Sequence, residues 1–239
     1  MHRVSVKTKI FDTLFLSVVV VTSAFLLDSA LLRWLMELGF VLALGEIFLT
    51  VYVKRNSLEP AIFGILPKKS SYILATTGLI TLASITIFLF VPEPEEFVLF
   101  FAAIISADAG GLFFGKFFGK RHPWFSRRLS PNKTWAGYFG EFVTCWGICA
   151  IVILVFKVDV TPANRWFIGL APLFGTVGDL CASGAKRQLG IKDSGEIFRS
   201  MPIIGKLEWF IKSRDGFLDC FDSIASAFIY YAIISQILA

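Results

Sequence analysis

Five short segments between Asp108 and Ser223 gather acids, amines and hydroxyls inside otherwise apolar sequence. They are Asp-Ala-Gly-Gly at 108–111, Ser-Pro-Asn-Lys-Thr-Trp at 130–135, Gly-Asp-Leu at 178–180, Ser-x-x-Lys-Arg-x-x-x-x-Lys-Asp-Ser-Gly at 183–195, and Asp-Gly-Phe-Leu-Asp-x-Phe-Asp-Ser at 215–223. A charge at membrane depth costs on the order of 3 kcal/mol or more, so a cluster of them points to function. Acids interleaved with Lys and Arg suit a Mg²⁺–phosphate complex: carboxylates hold the metal while the basic groups hold the remaining anionic oxygens.

Each segment has a plainer reading beside the chemical one. Asp108 sits deep in an apolar run and needs a cation, a donor or water. The neighbouring Gly110, Gly111 and Gly115 admit either a ligand or a packed helix. Pro131 fixes a turn, and Ser130 or Thr134 can cap the helix that follows. With Asn132 and Lys133 alongside, that helix start is either an anion site or a capped loop whose Lys meets lipid headgroups. Asp179 is followed by Ser183, Lys186 and Arg187, then by Lys192 and Asp193. A basic patch for anionic lipid accounts for the amines there but not for the acids. Asp215, Asp219 and Asp222 fall at i, i+4 and i+7 on one helical stripe, where three like charges repel unless a divalent cation joins them. Two His (His2 and His122) leave little room for imidazole catalysis, and Cys145, Cys149, Cys181 and Cys220 lack metal-type spacing.

The elements that carry these groups follow from composition. Of 239 residues 56% are hydrophobic and 17% charged, with a mean hydropathy of +0.72, against about 25% charged in soluble domains. That excludes a soluble fold and predicts an all-α, multi-pass membrane helix bundle. Seven apolar runs are long enough to cross or nearly cross, at about 10–31, 34–53, 71–91, 97–119, 135–157, 165–182 and 217–238. The first follows a basic start but precedes no small-residue cleavage site, and reads as a transmembrane helix rather than a signal peptide. If all seven cross, all but three of the 23 Lys and Arg fall on one side, leaving Arg33, Lys157 and Arg165 opposite with the acidic loop at 92–96. The positive-inside rule then places the N-terminus in the cytoplasm and the C-terminus outside. Residues 1–96 form a three-span scaffold and a candidate homodimer face; residues 97–239 carry the chemistry, with short amphipathic helices expected in 183–215. The phosphate compound is therefore cytosolic. A nucleotide fits, and no nucleic-acid partner is expected.

Taken together the motifs resemble those of the phosphatidate cytidylyltransferases (CDP-diacylglycerol synthases). Ser183, Lys186, Arg187, Lys192, Asp193 and Gly195 match the first half of the family pattern, and Gly216, Asp219, Asp222 and Ser223 the second. Gly178-Asp179-Leu180 and the segment Ser130, Pro131, Lys133, Thr134, Trp135 and Gly137 are similar as well. The chain departs in lacking the His-Gly-Gly of the second half. It also carries Cys220 where an Arg is expected, and about ten extra residues around 197–210. The resemblance implies transfer of a cytidylyl group from CTP to phosphatidate in phospholipid synthesis; the chain's size suits a bacterial inner membrane rather than an organelle, and the charge asymmetry turns the active site to the cytoplasm. It implies Asp193, Lys192, Asp219, Lys186 and Arg187 as catalytic side chains, and Asp108, Ser130, Asn132, Lys133, Thr134 and Ser183 around the substrates. Asp179, Asp193, Asp219 and Asp222 would ligate Mg²⁺, with a second cation, divalent or K⁺. Three alternatives are a CTP-dependent polyprenol or dolichol kinase, cytidylyl transfer to an isoprenoid lipid phosphate, and an ion or proton transporter using the acids as a relay.

Overall fold

The structure, a computed structural model, describes residues 29–54, 70–90, 94–119, 130, 133–191 and 218–238. Among these the chain is all-helical: α1 (Ser29–Lys54), α2 (Ser71–Leu89), α3 (Pro94–Phe118), α4 (Trp135–Phe156), α5 (Pro162–Gln188) and α6 (Leu218–Leu238). Five helices are long and apolar enough to cross a membrane, namely all but α2, whose apolar stretch Ser71–Ile87 is shorter. The run expected at 10–31 lies almost wholly outside the described residues. Two boundaries differ from expectation. α1 continues back through Arg33 to Ser29, and α5 runs on to Gln188, so Ser183, Lys186 and Arg187 are helical rather than part of a loop. Ala182 to Ala185 are small and buried, and that packed face extends the helix beyond the apolar run.

α3 pairs most closely with α4, and α5 with α6, while α2 touches α1, α5 and α6. Small residues set the first pairing. Gly140 lies beneath Phe114, and a Cβ there would meet that ring's side chain at 2.4 Å. Thr144 of α4 donates to the Ser106 carbonyl of α3 at 2.8 Å. Gly110 leaves the space that the Thr144 hydroxyl occupies. Without a hydrophobic drive between helices in lipid, this close approach and the interhelical hydrogen bond supply the association. The glycines after Asp108 thus serve helix packing.

Aromatic rings fill the centre. Phe100 stacks on Phe167 at 5.4 Å and meets Phe228 edge-on at 5.6 Å, and Tyr231 closes the cluster against Phe167 at 5.0 Å. Outward-facing Trp34, Phe48, Phe139 and Leu154 stay exposed, as lipid-facing side chains should. Pro172, inside α5, cannot donate to the Ile168 carbonyl one turn back. The Cys145 thiol of α4 reaches that carbonyl at 3.7 Å. A neighbouring helix thereby re-satisfies a group that hydrocarbon would leave stranded.

Candidate active site

α4 begins where the 130–135 segment predicts. Thr134, not Ser130, is its N-cap, and its hydroxyl accepts the Gly137 N–H at 3.1 Å. Ser130 instead accepts from the Lys133 backbone N–H through its carbonyl at 3.3 Å. Lys133 stands immediately before this cap, and its side chain crosses to α5. Lys133 Nζ lies 2.8 Å from Asp179 Oδ2 and 3.7 Å from Glu141 Oε1. Thr176 of α5 donates to the other Glu141 oxygen at 2.7 Å. Burial works against the Lys133 charge, but Asp179 and Glu141, helped by Asp108, outweigh it and hold the ammonium pKa above the usual lysine value.

A second amine–carboxylate pair lies farther along α5. Lys186 Nζ donates to Asp219 Oδ1 of α6 at 2.5 Å, and Ser183 donates to Asp179 Oδ1 at 3.4 Å. Close contact between α5 and α6 makes this geometry possible. A Cβ on Gly178 would fall 2.2 Å from the Asp222 carbonyl and 2.4 Å from Ser226 Oγ. Ser226 in turn donates to the Phe174 carbonyl at 2.6 Å. Asp222 is buried, with Asp179 and Asp219 as acidic neighbours, the Lys186 ammonium as a compensating charge, and the Ser223 N–H on its Oδ1 at 2.6 Å. A small open pocket lies between α3, α4, α5 and α6, lined by Asp108, Lys133, Glu141, Thr176 and Ser223 among others. Asp108 and Ser223, 115 residues apart in sequence, thus line one pocket.

Profile comparison matches residues 1–238 to the description "Cytidylyltransferase family". The chain belongs to the cytidylyltransferase family. Among individual relatives of this cytidylyltransferase-family chain, a phosphatidate cytidylyltransferase of Bacillus subtilis (strain 168) is 31% identical over 179 residues, which is 69% of this chain and 61% of that protein. One of Staphylococcus epidermidis is 35% identical over 136 residues, 55% of this chain and 45% of the relative. One of Staphylococcus aureus is 32% identical over 139 residues, with the same coverage. The chain therefore spans about half the length of the relatives it matches. No solved structure matches it.

Of the residues singled out from sequence, this family member brings Asp108, Lys133, Asp179, Ser183, Lys186, Asp219 and Asp222 into one region where α3, α4, α5 and α6 meet. Thr134 and Ser130 shape its loop, and Arg187 lies exposed at the end of α5. Asn132, Lys192, Asp193 and Asp215 lie outside the described residues. Glu141 and Thr176 were not singled out. A lone acid within the apolar run 135–157 was the signal for Glu141, and its room comes from Gly111, where a Cβ would meet Glu141 Oε1 at 2.8 Å. Among the described residues no three acidic, His or Cys side chains close on a single point. The donor chemistry nonetheless fits Mg²⁺, which takes one or two carboxylates and completes its shell with phosphate oxygens and water rather than an all-protein cage.

Proposed function

We propose that the protein transfers a cytidylyl group from CTP to phosphatidate, giving CDP-diacylglycerol and pyrophosphate. What carries this reading is the juxtaposition of the Lys133–Asp179 and Lys186–Asp219 pairs, from four separate motifs, around the buried Asp222 and beside a pocket that Asp108, Lys133 and Glu141 line. In the reaction a phosphate oxygen of the lipid attacks the α-phosphorus of CTP. A new P–O bond forms, the bond to the β-phosphate breaks, and pyrophosphate leaves. The nucleophile is already an ionised phosphate, so no strong base is required and the scarcity of His is no obstacle.

Bringing two anions together makes charge neutralisation and alignment the main tasks. Lys133, Lys186, Arg187 and Lys192 hold the triphosphate and the lipid phosphate. Asp108, Ser130, Asn132, Thr134 and Ser183 shape the nucleotide pocket. Asp179, Asp193, Asp219 and Asp222 would hold Mg²⁺, with a second divalent ion or K⁺ beside it; bound metal offsets charge on the attacking and leaving oxygens. Asp179 and Asp219 are each paired with an amine, and each amine becomes available to a phosphate when its acid turns to a cation.

The same reading sets the chain in a bacterial inner membrane with seven spans, the N-terminal three as scaffold and homodimer face. The N-terminus and the site then face the cytoplasm and the C-terminus lies outside, following the charge asymmetry. The decisive assay incubates the purified protein with labelled CTP, Mg²⁺ and phosphatidate. CDP-lipid and pyrophosphate are expected, with both abolished in Asp219→Asn. Release of CDP with a lipid phosphate when a polyprenol replaces phosphatidate would move the protein to the lipid kinases, and no nucleotide-dependent product above the Asp219→Asn background would reject the assignment.

A further inference from the structure

Glu46 belongs to none of the sequence motifs and sits in α1, yet it is 1% exposed. Its Oε2 accepts the backbone N–H of Leu218 at 2.7 Å, across 172 residues of sequence. Leu218 is the first residue of α6, where helical N–H groups have no partner within the helix. The next residue is Asp219, the partner of Lys186, and Asp222 follows one turn later. A second contact fixes the same turn. Phe221 lies over Gly39, where a Cβ would meet its ring at 2.0 Å, and meets Phe40 edge-on at 5.6 Å. α1 thus grips the start of α6 through both its backbone and the side chain that stands between the two acids.

We propose that Glu46 is a positioning residue for the site: a side-chain cap supplied by α1 that sets the axial and rotational placement of the α6 start, keeping Asp219 on Lys186 and Asp222 in the acid cluster. A carboxylate suits this task because the helix N-terminus carries partial positive charge. Its kinetic consequence rests on the proposed cytidylyl transfer, whereas its structural consequence does not.

The test uses the full chain in lipid nanodiscs and compares Glu46→Ala, which removes the acceptor, with Glu46→Gln, which keeps an acceptor oxygen. Amide hydrogen exchange over 218–222 is read by mass spectrometry, alongside kcat, KM for CTP and the Mg²⁺ concentration for half-maximal rate. Glu46→Ala is expected to speed exchange there and lower kcat, each about tenfold, with KM for CTP within about twofold. Its Mg²⁺ requirement should rise, while Glu46→Gln restores exchange and kcat to within about threefold of the parent. Wild-type exchange in Glu46→Ala, or equal losses in both variants, overturns the assignment. If the parent makes no CDP-lipid, the proposed function fails and exchange alone decides the cap. Should Glu46→Ala not yield folded protein, Gly39→Ala carries the test by displacing Phe221 from the same turn. Faster exchange over 218–222 then supports the role, and wild-type exchange overturns it.

Discussion

Lys133 answers to carboxylates on two different helices, so removing its amine leaves Asp179 and Glu141 facing each other uncompensated. Loss of one partner from such a partly buried pair is more damaging than loss of an exposed ion pair. Lys133→Met is therefore expected to lower kcat/KM for CTP by about a hundredfold. An effect within threefold would remove Lys133 from the site. The amine also makes a pH prediction. Its folded pKa is raised above the ordinary 10.5, so its contribution to stability is fully present below that value and fades only as pH rises through the higher folded value. The difference in melting temperature between the parent and Lys133→Met should thus stay flat from about pH 7 to about pH 10. A difference that shrinks markedly within that window contradicts the pairing. At this scale the sequence was largely legible. Lys133, Asp179, Lys186, Asp219 and Asp222 stand out as charges in apolar surroundings, because burying a charge without purpose is so costly. Glu46 and Glu141 were harder to read. Each is a single acid inside a helix, and only the tertiary structure shows which groups of other helices it meets.

Helix-to-helix spacing is controlled by a few positions that tolerate no side chain. At Gly178 a Cβ would collide with the backbone of Asp222 as well as with Ser226 Oγ, and the backbone cannot swing aside as a side chain can. Gly178→Ala must therefore push α5 from α6 at the level of the acid cluster. It is expected to destabilise by about 1–3 kcal/mol and to lower turnover well beyond what the stability loss explains. Gly169→Ala, on the same helix with nothing within 4 Å of the added Cβ, should keep turnover and gain up to about 1 kcal/mol. Thermal unfolding and kcat measured on both variants check the pair; equal outcomes would show that α5–α6 spacing is not what places the acids. The caps belong to this scale too. Thr134 before Trp135 and Thr161 before Pro162 are both N-caps, with hydroxyls accepting from Gly137 and Asn164. Either Ser130 or Thr134 satisfied the cap rule for α4. Only the tertiary structure selected Thr134 and set Lys133 against Asp179 of α5.

Across the whole molecule, α1 and α2 are joined to the helices that carry the site. Glu46 reaches from α1 to α6, and Gln188 at the end of α5 accepts the Tyr72 and Ile73 N–H groups at the start of α2, at 3.0 and 3.2 Å. The proposed orientation makes a further prediction at this scale. In intact spheroplasts of a cysteine-free background, a membrane-impermeant maleimide should label Glu95→Cys but not Asn56→Cys, and the pattern should reverse in inside-out vesicles. Labelling of both from one side would overturn the alternating spans. The sequence by itself determined that the chain is a helical membrane protein, which residues carry its charges, and what chemistry those charges suit. These follow from hydropathy and from the cost of charge in hydrocarbon, both of which are local. Which acid meets which amine, how Gly111 makes room for Glu141, and how Glu46 reaches Leu218 were decided only by the tertiary structure. Those contacts join residues far apart in the chain, and it is the packing of small side chains between helices that fixes their distances.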